Sequence, residues 1–249
     1  MNKIFCGLFF IRMGNFMIKI IQTGPFGVNS LVVPLTENKV FVVDPACCKF
    51  CGDEAVITDF LEQNSLECVA IILTHGHFDH ISGINILKEK FPNAKVLISK
   101  KDSFMIGKNS RKAQENILSL MGFSSFLPSV SNLCESDSFL EDEKTLFDCF
   151  GKFPLVSESL IQSLKEWLVI ETPGHTLGSV CLFNKKQNIL ISGDTLFYKS
   201  WGRCDLGGSE KLLFESLQKL KNKIPLNAKV FPGHEKCNFD FGENSGFCF

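Results

Sequence analysis

The stretch THGHFDH, residues 74–80, places three histidines and an aspartate within seven positions, in a chain of 249 residues that has only five histidines. Imidazole and carboxylate at that density read first as metal ligands. The remaining donors sit in three further short motifs: His175 in TPGH, Asp194 in SGDT and His234 in FPGH. Each motif follows an apolar run that reads as a strand: 69–73, 167–171, 188–192 and 229–231. In open α/β sheets, sites assemble just past the carboxyl ends of strands. A single histidine at such a point is usually a surface or satisfied core residue. Every histidine of the chain lies at one, and chance placement does not account for that.

The spacing has a chemical logic. His75 and His77, two apart in an extended segment, point the same way and can grip one ion. Asp79 and His80 project differently and can serve a second. His175 completes the first set and His234 the second, while the two oxygens of Asp194 can bridge both ions. Imidazole and carboxylate suit zinc, with iron or manganese as alternatives. Two divalent ions bring four positive charges; Asp79 and Asp194 offset two, and histidines bind neutral. The residual charge favours deprotonation of a bridging water near neutral pH. The expected chemistry is hydrolysis: one ion polarises a carbonyl, the bridging hydroxide attacks it, and the second ion stabilises the leaving group. Asp79 is also a candidate to accept a proton as the tetrahedral intermediate collapses. No serine or cysteine has the partners of a nucleophile. Gly76, Gly174, Gly193 and Gly233 flank the donors, where backbone must turn tightly.

These donors need a strand–helix scaffold, and the pattern supplies one. Met17–Ile21, Leu31–Leu35 and Val40–Val43 read as strands, with TENK (36–39) as the turn between the last two. Asp53 is expected to cap a helix carrying Val56, Ile57, Phe60 and Leu61 on one face. VAIIL (69–73) is apolar throughout, as in a strand buried on both faces. A helix over 82–91 stops at Pro92, and KVLIS (95–99) is the next buried strand. Residues 102–165 are rich in Ser, Asn and charge, with helical stretches near 111–121 and 157–165; they read as a helical insertion or lid. The strand pattern then resumes at WLVIE (167–171), VCLF (180–183) and NILIS (188–192), and Ser209 is expected to cap a long helix striped with Leu213, Leu217, Leu220 and Ile224. The expectation is one domain over 17–249, with 1–16 an N-terminal extension upstream of a natural start at Met17. Its apolar run, Ile4–Ile11, is too short to span a bilayer.

Composition narrows the function classes. A net charge of −1 gives no electrostatic basis for nucleic-acid or membrane-surface binding; the expected partner, a small-molecule substrate, follows from the hydrolytic chemistry. The eleven cysteines are scattered and odd in number, so reduced thiols in a cytoplasmic setting are expected rather than a disulfide framework. Cys48 and Cys51 form one C-x-x-C, read as bystander thiols, with a structural zinc as the alternative. The 25 Phe and the shortage of arginine (three in all) read as compositional bias.

Taken together, THGHFDHISG, TPGHTLGS, SGDTLF and FPGH resemble the successive motifs of the metallo-β-lactamase superfamily, from Met17 to His234. The resemblance implies an α/β fold, a four-layer αβ/βα sandwich with the metals among loops of its two sheets. It implies that Asp44, in VVDP, supports the metal loop without binding metal. GDTLFYKSWGRCDLGGS (193–209) resembles the short, single-domain branch of the glyoxalase II-like hydrolases, which cleave thioesters such as hydroxyacyl-glutathione. Arg203 is read as orienting Asp205 and its loop, with an anionic substrate as the alternative contact. The tyrosine and lysine that bind glutathione in glyoxalase II have no evident counterparts, and true β-lactamases generally lack an aspartate in the place of Asp194. The GR-x-D pattern also occurs in persulfide dioxygenases, which sets the alternative: one iron held by His75, His175 and Asp194. A non-catalytic module that keeps metal for stability is the third reading.

Overall fold

The computed structural model describes residues 18–151 and 157–246. The expectations for residues 1–16 and for a start at Met17 lie outside the described residues. Strands β1 (Lys19–Thr23), β2 (Val28–Pro34), β3 (Lys39–Val43), β4 (Glu67–Ile72), β5 (Lys95–Ser99) and β6 (Ser138–Leu140) form one sheet in sequential order. The first three are antiparallel and β3 to β6 run parallel. A second sheet is built from β7 (Trp167–Glu171), β8 (Val180–Asn184) and β9 (Ile189–Gly193). After the small hairpin β10 (Leu196–Phe197) and β11 (Ser200–Trp201), β12 (Lys229–Pro232) and β13 (Phe239–Asp240) complete it, in the order β13-β12-β9-β8-β7.

Side-chain alternation explains how the layers stack. Along β3, Val40 and Val42 face one core while Phe41 and Val43 face another. The central core lies between the sheets, where Phe41, Ile72 and Leu97 meet Val169, Leu182, Ile191 and Phe231. Phe41 is fully buried and meets Trp167 edge-on at 5.3 Å between centroids; burying such a ring contributes about 1.5–3 kcal/mol. The helices α1 (Val56–Gln63), α2 (Phe78–Ile81), α3 (Ile84–Lys90) and α4 (Ser110–Leu120) cover the outer face of the first sheet. The short α5 (Leu146–Phe150) and α6 (Glu158–Lys165) pack into the inter-sheet core. Helix α7 (Glu210–Lys223) covers the second sheet with Leu213, Leu217 and Leu220. The result is the helix–sheet–sheet–helix sandwich that the motifs imply. No helix among the described residues is long and apolar enough to cross a membrane.

Two local expectations change. The 102–165 segment is helical in α4, α5 and α6, but it also supplies β6, an edge strand paired with β5. Three residues with Phe139 turned to solvent are too few to show alternation in a polar stretch. Ser209 does cap α7, accepting from the Leu212 amide, whereas α1 starts at Ala55 with no side-chain cap. Asp53 instead accepts the amides of Cys48 and Gly24, both at 2.7 Å, and ties the loop after β3 to the β1–β2 turn.

Candidate metal centre

The chain switches conformation inside the histidine motif. His77 is still extended (φ −67°, ψ 147°), and helix α2 begins at Phe78. His75 leaves a bend and His77 an extended residue, while Asp79 and His80 leave a helical turn and aim elsewhere. His175 arrives after β7, Asp194 after β9 and His234 after β12. The two parallel strands β9 and β12 bring Gly193 beside Pro232. A Cβ on Gly233 would stand 2.2 Å from Asp194 Oδ1 and 2.8 Å from His80 Cε1, so only glycine lets these loops meet.

All seven predicted donors converge. His175 Nε2 lies 2.8 Å from His77 Nδ1 and 3.2 Å from His75 Nε2. On the other side, His80 Nε2 lies 3.1 Å from His234 Nε2 and 3.8 Å from Asp79 Oδ2. Asp194 stands between the groups: Oδ1 is 3.5 Å from His80 Nε2, and Oδ2 is 3.6 Å from His175 Nε2 and 3.5 Å from His234 Nε2. His75, His77, His80, His175 and Asp194 are buried; Asp79 and His234 keep a partly open edge towards a cleft.

The far nitrogen of four imidazoles is already engaged, which sets the tautomers. His175 Nδ1–H donates to the Arg203 carbonyl (2.6 Å) and His77 Nε2–H to the Leu206 carbonyl (3.2 Å). His80 Nδ1–H donates to Asp44 Oδ2 (3.0 Å), and His75 Nδ1–H to Thr74 Oγ1 (3.1 Å). Thr74 in turn donates its amide and hydroxyl to Asp44, at 2.7 and 2.6 Å. Asp44 thus ties Thr74 and His80 together from behind, and its carboxylate also lies within ligand distance of His75 and His80. It sits at φ 47°, a left-handed conformation that aspartate tolerates better than most residues.

With those protons placed outward, the facing nitrogens of His75, His77 and His175 present lone pairs to one another. Two acceptors 2.8 Å apart with no proton between them call for a cation. Nitrogens bound tetrahedrally to zinc at about 2.0–2.1 Å stand roughly 3.3 Å apart, close to the separations here. Asp194 Oδ1 is buried without a hydrogen-bond partner, as a carboxylate oxygen awaiting a metal would be. The electrostatics agree. Burial and the neighbouring imidazoles hold His75 well below the ordinary histidine range, and burial lowers His77 and brings His175 down to about 4, favouring the neutral, metal-binding form. Burial opposes charge on His80, yet Asp194 and Asp79 drive its pKa well up. The carboxylate side of the centre therefore attracts positive charge, which divalent ions supply. Three overlapping sets of donors each lie close enough to hold a metal ion: His75, His77 and His175; Asp79, His80 and His234; and Asp44, His75 and His80.

A clamp between two donor loops escaped sequence reasoning. Asp102, directly after β5, accepts from the Gly76 amide (2.9 Å), the Thr176 hydroxyl (2.7 Å) and the Gly178 amide (2.9 Å), clamping the loops of His75–His77 and His175 together. Its position just past a parallel strand was the available signal, masked by the polar run that follows. Asp102→Asn exchanges one acceptor oxygen for a donor and leaves a buried amide unpaired, at a cost of about 1–3 kcal/mol. Metal affinity should fall about 10–100-fold, measurable by competition with a chelator; unchanged affinity would refute the clamp. Arg203 forks onto Asp205, with both contacts at 2.6 Å, which matches its reading as loop support. The thiols of Cys48 and Cys51 approach the Asp53 carboxylate, a smaller group away from the centre.

Residues 23–234 match the family model described as the metallo-beta-lactamase superfamily. The chain is 29% identical over 226 residues to a hydroxyacylglutathione hydrolase of Bdellovibrio bacteriovorus, covering 89% of this chain and 70% of that protein. It is 27% identical over 218 residues to a probable polyketide biosynthesis zinc-dependent hydrolase, PksB, of Bacillus subtilis, covering 87% and 74%. Among solved structures, the BLEG-1 B3 metallo-beta-lactamase superposes with a TM-score of 0.73 at 28% identity, covering 91% of this chain and 95% of that one.

Proposed function

The chain belongs to the metallo-beta-lactamase superfamily, and from that premise we propose that it is a dinuclear zinc hydrolase of a thioester or related ester. His75, His77 and His175 would hold one ion, Asp79, His80 and His234 the other, with Asp194 facing both. Bound there, the ions would supply Lewis acidity towards a carbonyl and lower the pKa of coordinated water towards neutrality. The observation that carries the reading is the convergence of two separate donor groups on Asp194, with four imidazoles fixed from behind by Thr74, Asp44 and two backbone carbonyls. That rigidity keeps the donors in place without reorganisation. Asp79 lines the cleft with Asp194, which supports a second role for it as the acceptor of a proton when the tetrahedral intermediate collapses. The hydroxyacylglutathione hydrolase of Bdellovibrio and the zinc-dependent hydrolase of Bacillus support thioester-type hydrolysis and zinc respectively. The free thiols of the described cysteines support a reducing, cytoplasmic setting.

The test is a substrate panel on the zinc-loaded protein: S-lactoylglutathione, simple thioesters of a neutral thiol, and a chromogenic cephalosporin. Thioester turnover with kcat/KM of about 10⁴ M⁻¹s⁻¹ or more is expected. Turnover of the cephalosporin alone would transfer the reading to the β-lactam class. Oxygen uptake with a persulfide by an iron-loaded form would favour the mononuclear alternative.

A further inference from the structure

The cleft beside the metal donors has a volume of about 500 Å³, within the range of small-molecule sites. Its walls differ in chemistry. One is apolar and assembled from three distant parts of the chain: Phe26 at the tip of the β1–β2 turn and Met121 at the end of α4, with the buried ring of Phe78 at the start of α2 behind them. Phe26 meets Phe78 edge-on at 5.8 Å and Phe123 at 5.6 Å, and Phe123 stacks on Phe126 at 5.3 Å. The ring is therefore held firmly, yet it remains 45% exposed. A fixed aromatic surface left open beside a reactive centre is a feature of ligand sites. Met121 adds an adaptable edge to the wall.

The charges of the cleft point the same way. Among the described residues, Arg203 is the one lysine or arginine that lines it, and its guanidinium is forked onto Asp205. Two of its N–H groups are engaged by the exposed Asp205 carboxylate, so the positive charge already has a partner in the chain. Glu235 adds a negative charge to the rim. A glutathione leaving group brings two carboxylates and finds no free cation in this lining.

We infer that the cleft takes a thioester whose acyl group is aromatic or bulky and apolar, seated against Phe26 and Met121, and whose leaving thiol carries no net negative charge. The inference rests on the thioesterase reading and specifies its substrate class. In the reaction, water adds to the acyl carbon and the C–S bond breaks; one proton of the water goes to the leaving sulfur and the other to solvent, and the products are an apolar carboxylate and a neutral thiol.

The test compares acetyl and phenylacetyl thioesters of N-acetylcysteamine on the zinc-loaded protein, with S-phenylacetylglutathione as the charged counterpart. The wall predicts at least about tenfold higher kcat/KM for phenylacetyl than for acetyl, and a preference for the neutral thiol over glutathione. Phe26→Ala, at a partly exposed position, should lower kcat/KM on the phenylacetyl substrate about tenfold, with a much smaller fall on acetyl. Equal rates on acetyl and phenylacetyl, or a preference that survives Phe26→Ala, would overturn the acyl assignment; preference for the glutathione thioester would overturn the charge argument. Calorimetric binding of phenylacetate against acetate keeps the wall testable if no thioester is hydrolysed. Tighter phenylacetate binding that is lost in Phe26→Ala upholds it, and equal binding of the two carboxylates overturns it. The thioesterase reading then fails by itself.

Discussion

Replacing Asp194 by alanine should lower kcat/KM by about a thousandfold or more, equivalent to roughly 4 kcal/mol of transition-state stabilisation. Asp194 is the side chain that faces both donor groups. Its Oδ1 looks towards His80 and its Oδ2 towards His175 and His234. Its placement is fixed by backbone: Gly193 turns at φ +48°, and a Cβ there would meet Thr74 at 2.5 Å. Alanine at 194 keeps that backbone and removes only the carboxylate, so the fold should survive. Steady-state kinetics on the zinc-loaded variant, with its melting temperature as the control for folding, make the measurement. A variant that retains activity within tenfold of wild type would remove Asp194 from the chemistry.

His80→Ala is the second large effect. His80 is completely buried, with Nδ1 bonded to Asp44 and Nε2 facing His234, Asp194 and Asp79. Removing the ring deletes one donor of the second group and leaves the first group, His75, His77 and His175, complete. The metal content should therefore fall by about one ion per chain, with most of the activity lost and about one ion retained. Asp44 keeps both hydrogen bonds from Thr74 in this variant, so the support under His75 remains. Full zinc loading with normal turnover would contradict a second ion at His80. Loss of all metal would show instead that the two groups bind as one unit.

Much of the centre was legible before any coordinates because metal chemistry restricts residue types so strongly. Histidines were few, each followed an apolar run, and parallel strands bring such points together. The sandwich was legible through strands such as VFVV, whose alternate side chains enter different cores. What sequence hides is whatever depends on backbone atoms or on chemically ordinary residues. The carbonyls of Arg203 and Leu206 fix two imidazoles, and no residue type announces a carbonyl. Asp102 and Thr74 are ordinary polar residues until folding places them between loops. Asp53 looked like a helix cap because Asp before an apolar stripe usually is one; the pull of two loop amides proved stronger. Strand β6 was hidden by its length, since three residues carry no period.

In the proposed centre, five imidazoles and two carboxylates enclose a pair of ions. Metal analysis by mass spectrometry, on full-length protein saturated with zinc and freed of loose ions, tests it most directly. The account predicts about two zinc ions per chain. A single ion per chain at saturation, with the His80→Ala variant binding the same amount, would contradict it.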